Sequence, residues 1–392
     1  MSSRWGESTR SVHLRARKDP VTGAIVPPIS QSAAYAFDDL ESWRRVALGE
    51  SDGDTYGRNS NPTSRLLVER VAALEGAETG ASFATGMAAI TTSMFALLDP
   101  GKRAVTIRDA YGATFLMFTE ILPRFGIECV VCDTDDTEGL EREIATGCDL
   151  LYLETPTNPV LKVLDIAALS ALAHEQGALV LVDNTFATPV NQRPLELGAD
   201  LVIHSATKYL GGHNDVLGGI VCGRSELIEP INRHRELTGA ALDPHSAFLL
   251  LRSLKTLGLR IARHNENAQH LATFLQAHAR VEQVFYPGLE SHPRHQLACR
   301  QMRGFGGVLS FTVEGGMEAA GRVLSSLRLA YLAPNLGQVE TIAGPAALTS
   351  HVELSAEQIE ASGVPASLIR YATGIEDAED LQADLEQALG RL

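Results

Sequence analysis

Basic residues, cysteine, aromatics and long apolar runs are all scarce in this chain. Thirty-three Lys and Arg stand against 48 Asp and Glu, a formal charge of -15. A nucleic-acid partner needs clustered cations against its phosphates, so that class of function is excluded. No window approaches the roughly 18–20 apolar residues that span a bilayer, so no membrane is expected. The opening "MSSRWGESTRSVHLRARKDP" has basic residues but no apolar core after them, unlike a secretory leader. Five cysteines in 392 residues is odd and low, which fits a reducing cytoplasm rather than a disulfide scaffold. Cys129 and Cys132 form a C-x-x-C inside "ECVVC", but side chains three apart on a strand point to opposite faces, so they read as core thiols. The histidines, including "SHPRH" at 291–295, show no metal-ligand set and read as surface or cap residues. There is no internal repeat and no low-complexity tract.

What is present is alternation. Short apolar runs at 80–84, 103–107, 128–132, 150–154, 178–183, 201–205 and 218–223 read as strands buried on both faces. Helical segments separate most of them, which indicates βαβ units, an α/β class and a largely parallel sheet. Asn61 before Pro62 starts a helix that Gly76 ends, and Asp165 caps another that stops at Gly177. Residues before 60 are irregular and rich in Ser, Pro and Tyr, a segment that must pack on something else. A long helical stretch after 245 leads into a second region with strands at "GGVLSFTV" and "LIRYAT". The expected division is an arm at 1–60, a large domain at 61–250 and a smaller α+β domain at 251–392.

In open parallel sheets ligands bind beyond the carboxyl ends of the strands. Those ends offer Thr85, Gly86 and Met87; Glu154, Thr157 and Asn158; Asp183, Asn184 and Thr185; and Ser205, Thr207 and Lys208. Such a set suits pyridoxal 5'-phosphate. Its aldehyde needs an amine, and a lysine in a poorly solvated pocket can lose its proton. Its ring nitrogen stays protonated against a carboxylate, for which Asp183 is placed. Its phosphate wants amides at a helix start and hydroxyls, supplied by Gly86 and Met87 and by Ser205 and Thr207. Tyr111, after another strand, can cover the ring. Singly, each has a plainer reading: Lys208 as solvated surface, Asp183 as a turn residue, Gly86 as a tight turn, Tyr111 as core. A nicotinamide-dependent dehydrogenase is set aside, because no G-x-G-x-x-G follows a first strand and Lys208 would be idle.

The stretch "DLVIHSATKYLGGHNDVLGG", with "YGRNSNPT" and "LIRYATGIED" far on either side, resembles the Cys/Met-metabolism group of pyridoxal-phosphate enzymes. That group includes cystathionine γ-synthase, the cystathionine lyases, methionine γ-lyase and the homoserine sulfhydrylases. The resemblance covers nearly the whole chain. It implies an aspartate-aminotransferase-like fold (fold type I) with a seven-stranded sheet, and a homotetramer built as a dimer of dimers. It implies that Lys208 forms the Schiff base and later carries protons, and that Asp183 pairs with the ring nitrogen, supported by Thr185. Asn158 would approach the ring hydroxyl, and Tyr111 would stack on the ring. Tyr56 and Arg58 would reach the phosphate of the neighbouring subunit, Tyr56 also meeting substrate, and Arg370 would grip the substrate α-carboxylate.

By the same resemblance the chain performs γ-elimination or γ-replacement on an amino acid with a leaving group at its γ-carbon. The alternatives are an O-acylhomoserine sulfhydrylase, a β-lyase acting on cystathionine and, last, a non-enzymatic binder of the cofactor. "RHRELTGAALDPHSAFLLLRSLKTL" looks most like the γ-branch. Ala113 stands where methionine γ-lyases carry a reactive cysteine, and Arg235-Glu236 where they carry Lys-Asp, which argues against an ordinary enzyme of that kind. The family's S-L-G-G-x-E-S-L-x-x-H-P stretch reads "NLGQVETIAGP", with Asn335 for the serine, Gln338 for the second glycine and Gly344 for the histidine. Asn335 and Gln338 at the pocket mouth would select an unusual γ-substituent; a loop tolerant of change would give the same letters.

Overall fold

The apolar runs become strands almost where they begin and end, because a strand buried on both faces has no polar position to blur its limits. The computed structural model describes residues 5–13, 18–19, 21–349, 364–365 and 367–392. Residues 1–4, 14–17 and 20 of the expected arm, and 350–363 and 366 of the expected smaller domain, lie outside the described residues. Seven strands form one sheet: β1 (Thr79–Phe83), β2 (Arg103–Ile107), β3 (Glu128–Cys132), β4 (Leu150–Glu154), β5 (Leu179–Asp183), β6 (Leu201–Ser205) and β7 (Gly219–Gly223). Their order is β1-β7-β6-β5-β4-β2-β3. β7 runs antiparallel to both neighbours, and the other pairings are parallel.

Helices cover both faces of this sheet. Pro62–Glu75 starts at Asn61, whose side chain accepts from the amides of Thr63 and Ser64, and ends at Gly76 in the left-handed region. It buries Leu67, Val71 and Leu74. Asp165 caps Ile166–Glu175 by accepting from Ala168 N–H, and Gly177 follows at positive φ. Cys129 and Cys132 lie on the edge strand β3, where burial pushes both thiols up to about 11 and keeps them protonated.

The long helical stretch is two helices, Pro244–Leu254 and Leu257–Ala277, with Lys255 and Thr256 between. The first packs on Pro62–Glu75, the second on β8 and on the last helix, Ala378–Leu389. A second, five-stranded sheet has the order β10-β11-β12-β9-β8. Its strands are β8 (Val281–Phe285), β9 (Val308–Val313), β10 (Tyr331–Leu332), β11 (Ile342–Pro345) and β12 (Ile369–Ala372). Only β10–β11 is parallel. Phe311, Ile369, Tyr371, Leu381 and Leu385 share its core. Among the described residues no helix is long and apolar enough to cross a membrane, and no cluster of three or more His, Cys, Asp or Glu could hold a metal ion. His292 and His295 of "SHPRH" instead contact the backbone carbonyls of Leu161 and Pro287.

Candidate active site

The carboxyl ends of β1, β4, β5 and β6 open into one cavity of about 230 Å³, roofed by residues 334–336 and Arg370 of the smaller sheet region. Gly86, Met87, Tyr111, Asn158, Asp183, Thr185, Ser205, Thr207, Lys208, Asn335 and Arg370 all line it. Of the residues expected at the site, Tyr56, Arg58 and Gln338 do not, nor do Thr157 and Asn184 of the strand ends. Tyr56 is exposed, with the Arg58 guanidinium 5.4 Å from its ring centroid, and Arg58 donates to the backbone carbonyl of Glu236. They sit beside Arg235, which is buried and donates to the carbonyl of Asn59, so the Arg235-Glu236 pair faces the arm rather than this cavity. Ala113 also lies outside the lining.

One end of the cavity is an anion cradle. The helix Gly86–Leu97 begins there, with Thr85 as its cap accepting from Ala88 N–H, so the first free amides and the positive end of the helix dipole face inward. Gly86 is required by space: a Cβ on it would lie 2.8 Å from Cβ and Oγ of Ser205. The hydroxyls of Ser205 and Thr207 line the same cavity from the end of β6 and the turn after it. No basic side chain of this chain is needed to make the cradle polar.

The opposite wall carries carboxylates. In the β4–β5 register Glu154 lies directly opposite Asp183. Thr185 gives Asp183 its amide, at 2.9 Å, and its hydroxyl. Burial pushes Asp183 up, and those two donors oppose the shift. Glu154 is pushed up to about 8, first by burial and then by the charge of Asp183. Behind Asp183, Glu75 is fully buried and accepts from Asn184 Nδ2 at 2.8 Å, with His204 Nε2 at 2.5 Å from the same oxygen. Neither Glu75 nor His204 was singled out by the sequence; His204 lay inside a run that read simply as strand.

Between these walls stands Lys208. Its Nζ donates to Asn335 Oδ1 at 2.6 Å, while burial and then the charge of Arg370 bring the amine down to about 8. Asn335 is held in turn: its Nδ2 donates to Asn214 Oδ1, and Asn214 sits at φ 60, a left-handed conformation that asparagine tolerates. The Asn335 backbone carbonyl accepts from Arg370 Nη2 at 3.0 Å, and Asn158 Oδ1 accepts from Nη1 at 3.1 Å. The guanidinium is thus fixed on two sides.

Gln338 departs from the expectation that it would sit at the pocket mouth. It is 1% exposed, does not line the cavity, and among the described residues neither of its side-chain polar atoms has a hydrogen-bond partner. The reason is tertiary: Val339 N–H bonds Gly212 O and Val339 O receives Ile375 N–H, which ties the segment inward just after Asn335. Gly344 lies on β11 opposite Arg370, where a side chain would share a sheet face with the guanidinium. The residues fit the cofactor that the sequence implies: an anion cradle, a buried carboxylate, an aromatic ring and an amine brought down towards neutrality around one cavity.

Comparison with known proteins agrees. The chain is 42% identical over 391 residues to L-methionine gamma-lyase of Fusobacterium nucleatum subsp. nucleatum, covering 99% of this chain and 98% of that one. It is 43% identical to chloroplastic cystathionine gamma-synthase 1 of Arabidopsis thaliana, across 98% of this chain and 69% of the plant protein. Among solved structures, cystathionine gamma synthase from Xanthomonas oryzae pv. oryzae, in complex with aminoacrylate and cysteine, superposes with a TM-score of 0.93. That match has 39% identity and covers 99% and 98% of the two chains. Residues 8–390 match the family described as Cys/Met metabolism PLP-dependent enzymes, and the chain belongs to it: a pyridoxal-phosphate enzyme of the aspartate-aminotransferase-like fold.

Proposed function

We propose that this enzyme carries out γ-elimination or γ-replacement on an amino acid bearing a leaving group at its γ-carbon. The observation that supports this most is the Lys208–Asn335–Arg370 link, which sets a basic amine and a fixed guanidinium in one cavity. Arg370 offers two N–H groups to an α-carboxylate, and burial keeps them from water. A carboxylate held there leaves the amino acid's α-carbon between the guanidinium and the amine.

Bound pyridoxal phosphate supplies an aldehyde carbon for the substrate amine and a ring that withdraws electrons from the α-carbon. The chain supplies the rest. Gly86 and Met87 amides with Ser205 and Thr207 hydroxyls would hold the phosphate, Asp183 the ring nitrogen, and Asn158 the ring hydroxyl. Tyr111 would cover the ring face. Lys208 Nζ would accept the α-proton and, in γ-chemistry, move a β-proton; an amine near neutrality can do both. Asn335 replaces a hydroxyl with a longer amide beside that amine, which favours a specialised γ-substituent carrying sulfur, oxygen, nitrogen or halide.

Tyr56 and Arg58, on the arm and away from their own cavity, would complete the phosphate site of a second copy. Exposed apolar side chains of the same segment, Val21 at 90% and Ile25 at 85%, support an arm that is covered on assembly into the homotetramer. The arm at 1–60, the large domain at 61–250 and the small domain at 251–392 are the proposed units. The cytoplasm is the proposed location, supported by five cysteines that are all free.

A substrate panel tests the reaction: cystathionine, methionine, cysteine, O-acyl and O-phospho homoserines and γ-halogenated amino acids, with and without a thiol. Keto acid and ammonia without a thiol identify a lyase; turnover only with a thiol identifies a synthase or sulfhydrylase. Full activity of Lys208→Ala on any of them would refute the assignment.

A further inference from the structure

Glu154 has no part in the chemistry just described, yet it is 7% exposed on the cavity wall opposite Asp183. Its two oxygens are not equivalent. Oε2 accepts the backbone N–H of Tyr111 at 2.9 Å, and an N–H can only donate. Oε1 faces the Tyr152 hydroxyl at 3.0 Å. That hydroxyl also lies 3.5 Å from Asp183 Oδ2. Tyr152 is fully buried, so no water can relieve the competition.

A phenol has one proton and here two carboxyl groups to give it to. With Glu154 ionised, Oε1 is the nearer acceptor and takes it. With Glu154 protonated, Oε2 is already occupied by the amide, so the proton rides on Oε1 and is donated to Tyr152. The phenol proton then turns to Asp183. We propose that Glu154 is a positioning residue which, through the single proton of Tyr152, decides whether Asp183 receives that hydrogen bond, and so tunes the carboxylate that faces the cofactor's ring nitrogen.

The surroundings favour the protonated arrangement at neutral pH. Burial and then Asp183 push Glu154 up to about 8, while the Tyr111 amide and the hydroxyls of Tyr152 and Thr114 pull it down. Tyr152 stays a phenol throughout, for burial raises it further. His204 lies on the far side of Asp183 and favours its charge. Lys208 and Arg370 are the cations that share the cavity. The inference rests on the reading that Asp183 meets the ring nitrogen.

The test is equilibrium binding of pyridoxine 5'-phosphate to the full chain freed of cofactor, from pH 6.5 to 9.5. This ligand has no aldehyde, so the lysine amine cannot bond to it. Glu154→Gln keeps an acceptor for Tyr111 N–H and a donor for Tyr152 at every pH. Relative to that variant, the wild type should bind about tenfold more weakly above pH 8 and equally below pH 7, the worth of one weak bond to a charged group. Tyr152→Phe should bind weakly throughout, with the wild-type fall across pH 8 abolished. Matching profiles for wild type and Glu154→Gln would overturn the inference, as would a fall that survives in Tyr152→Phe, which would mean the carboxylates interact directly. Asp183→Asn separates the underlying reading: unchanged affinity there overturns both, whereas weakened affinity leaves the Asp183 reading standing whatever Glu154 does.

Discussion

The amine of Lys208 should capture its cofactor with a pH profile that bends near 8. An ordinary lysine, at 10.5, is about 0.03% neutral at pH 7. At about 8 the neutral fraction at pH 7 is about 9%, so roughly 300 times more nucleophile is present. The shift comes first from burial and then from Arg370, and both can be perturbed separately. Cofactor-free protein would be mixed with pyridoxal phosphate from pH 6 to 10 and quenched with borohydride. The label on Lys208 is then counted by peptide mass, with a simple alkylamine as the reference. The expected initial rate rises about tenfold from pH 6 to 7, bends near 8 and is flat above about 9, whereas that of the reference amine keeps climbing through pH 10. Arg370→Gln should move the bend to higher pH. The same shift has a stability sign: the folded chain loses this proton first, so the strain it causes is present below about 8. That strain, on the order of 3 kcal/mol, is relieved as pH rises towards 10.5. A capture rate still climbing tenfold per unit through pH 10 would refute the account, since it would show an amine no different from one in water.

Other consequences are as direct. Arg370→Lys removes the fork that holds Asn158 Oδ1 and the Asn335 carbonyl; kcat/KM for the amino-acid substrate should fall about 10- to 150-fold, measured on the best compound of the panel. Gly86→Ala drives a Cβ to 2.8 Å from Ser205 Oγ, so cofactor affinity should drop about 5- to 150-fold, read by equilibrium dialysis, for an overpacking cost of about 1–3 kcal/mol. His204→Leu leaves the buried Glu75 without its nearest partner and should cost about 3–5 kcal/mol in urea unfolding. Asn335→Ser loses the bond to Asn214 and should change which panel substrate is turned over fastest; an unaltered ranking would assign selectivity elsewhere.

The strands of the large sheet were legible because each is a short apolar run closed by a polar or glycine residue, and β2, β3, β4 and β6 begin and end where the runs do. Asn61 and Asp165 were legible as caps because their side chains act on amides two and three residues away. The cavity was legible because parallel strands deliver their last residues to one edge. Contacts that depend on strand order were not. Glu154 faces Asp183 only because β4 and β5 are neighbours, and nothing local in "YLETP" or "LVDNT" records that. Gln338 followed Asn335 closely enough to suggest a shared position, but its segment is drawn inward by bonds to Gly212 and Ile375, each distant in sequence. The placement of Tyr56 and Arg58 outside their own cavity was legible only through family likeness, since their immediate sequence names no partner.

The antiparallel β7 has a mechanical meaning. Ser205 and Gly219 are paired across β6 and β7, so the loop carrying Lys208 leaves and re-enters the sheet at adjacent points. An arch pinned at both feet can flex at its crown but cannot travel. Arg370, by contrast, arrives on β12 of the other sheet, where its neighbours Ile369 and Tyr371 belong to a different core, and Asn335 comes from the connection between β10 and β11. Reaction and recognition therefore start from separate sheets, joined by hydrogen bonds and by Leu336, which packs into the core beside Tyr209 and Leu210. Selection on substrate choice can rework the side chain at 335 while the two feet of the arch keep the lysine's backbone in place, so that one apparatus for moving protons remains available to many different leaving groups.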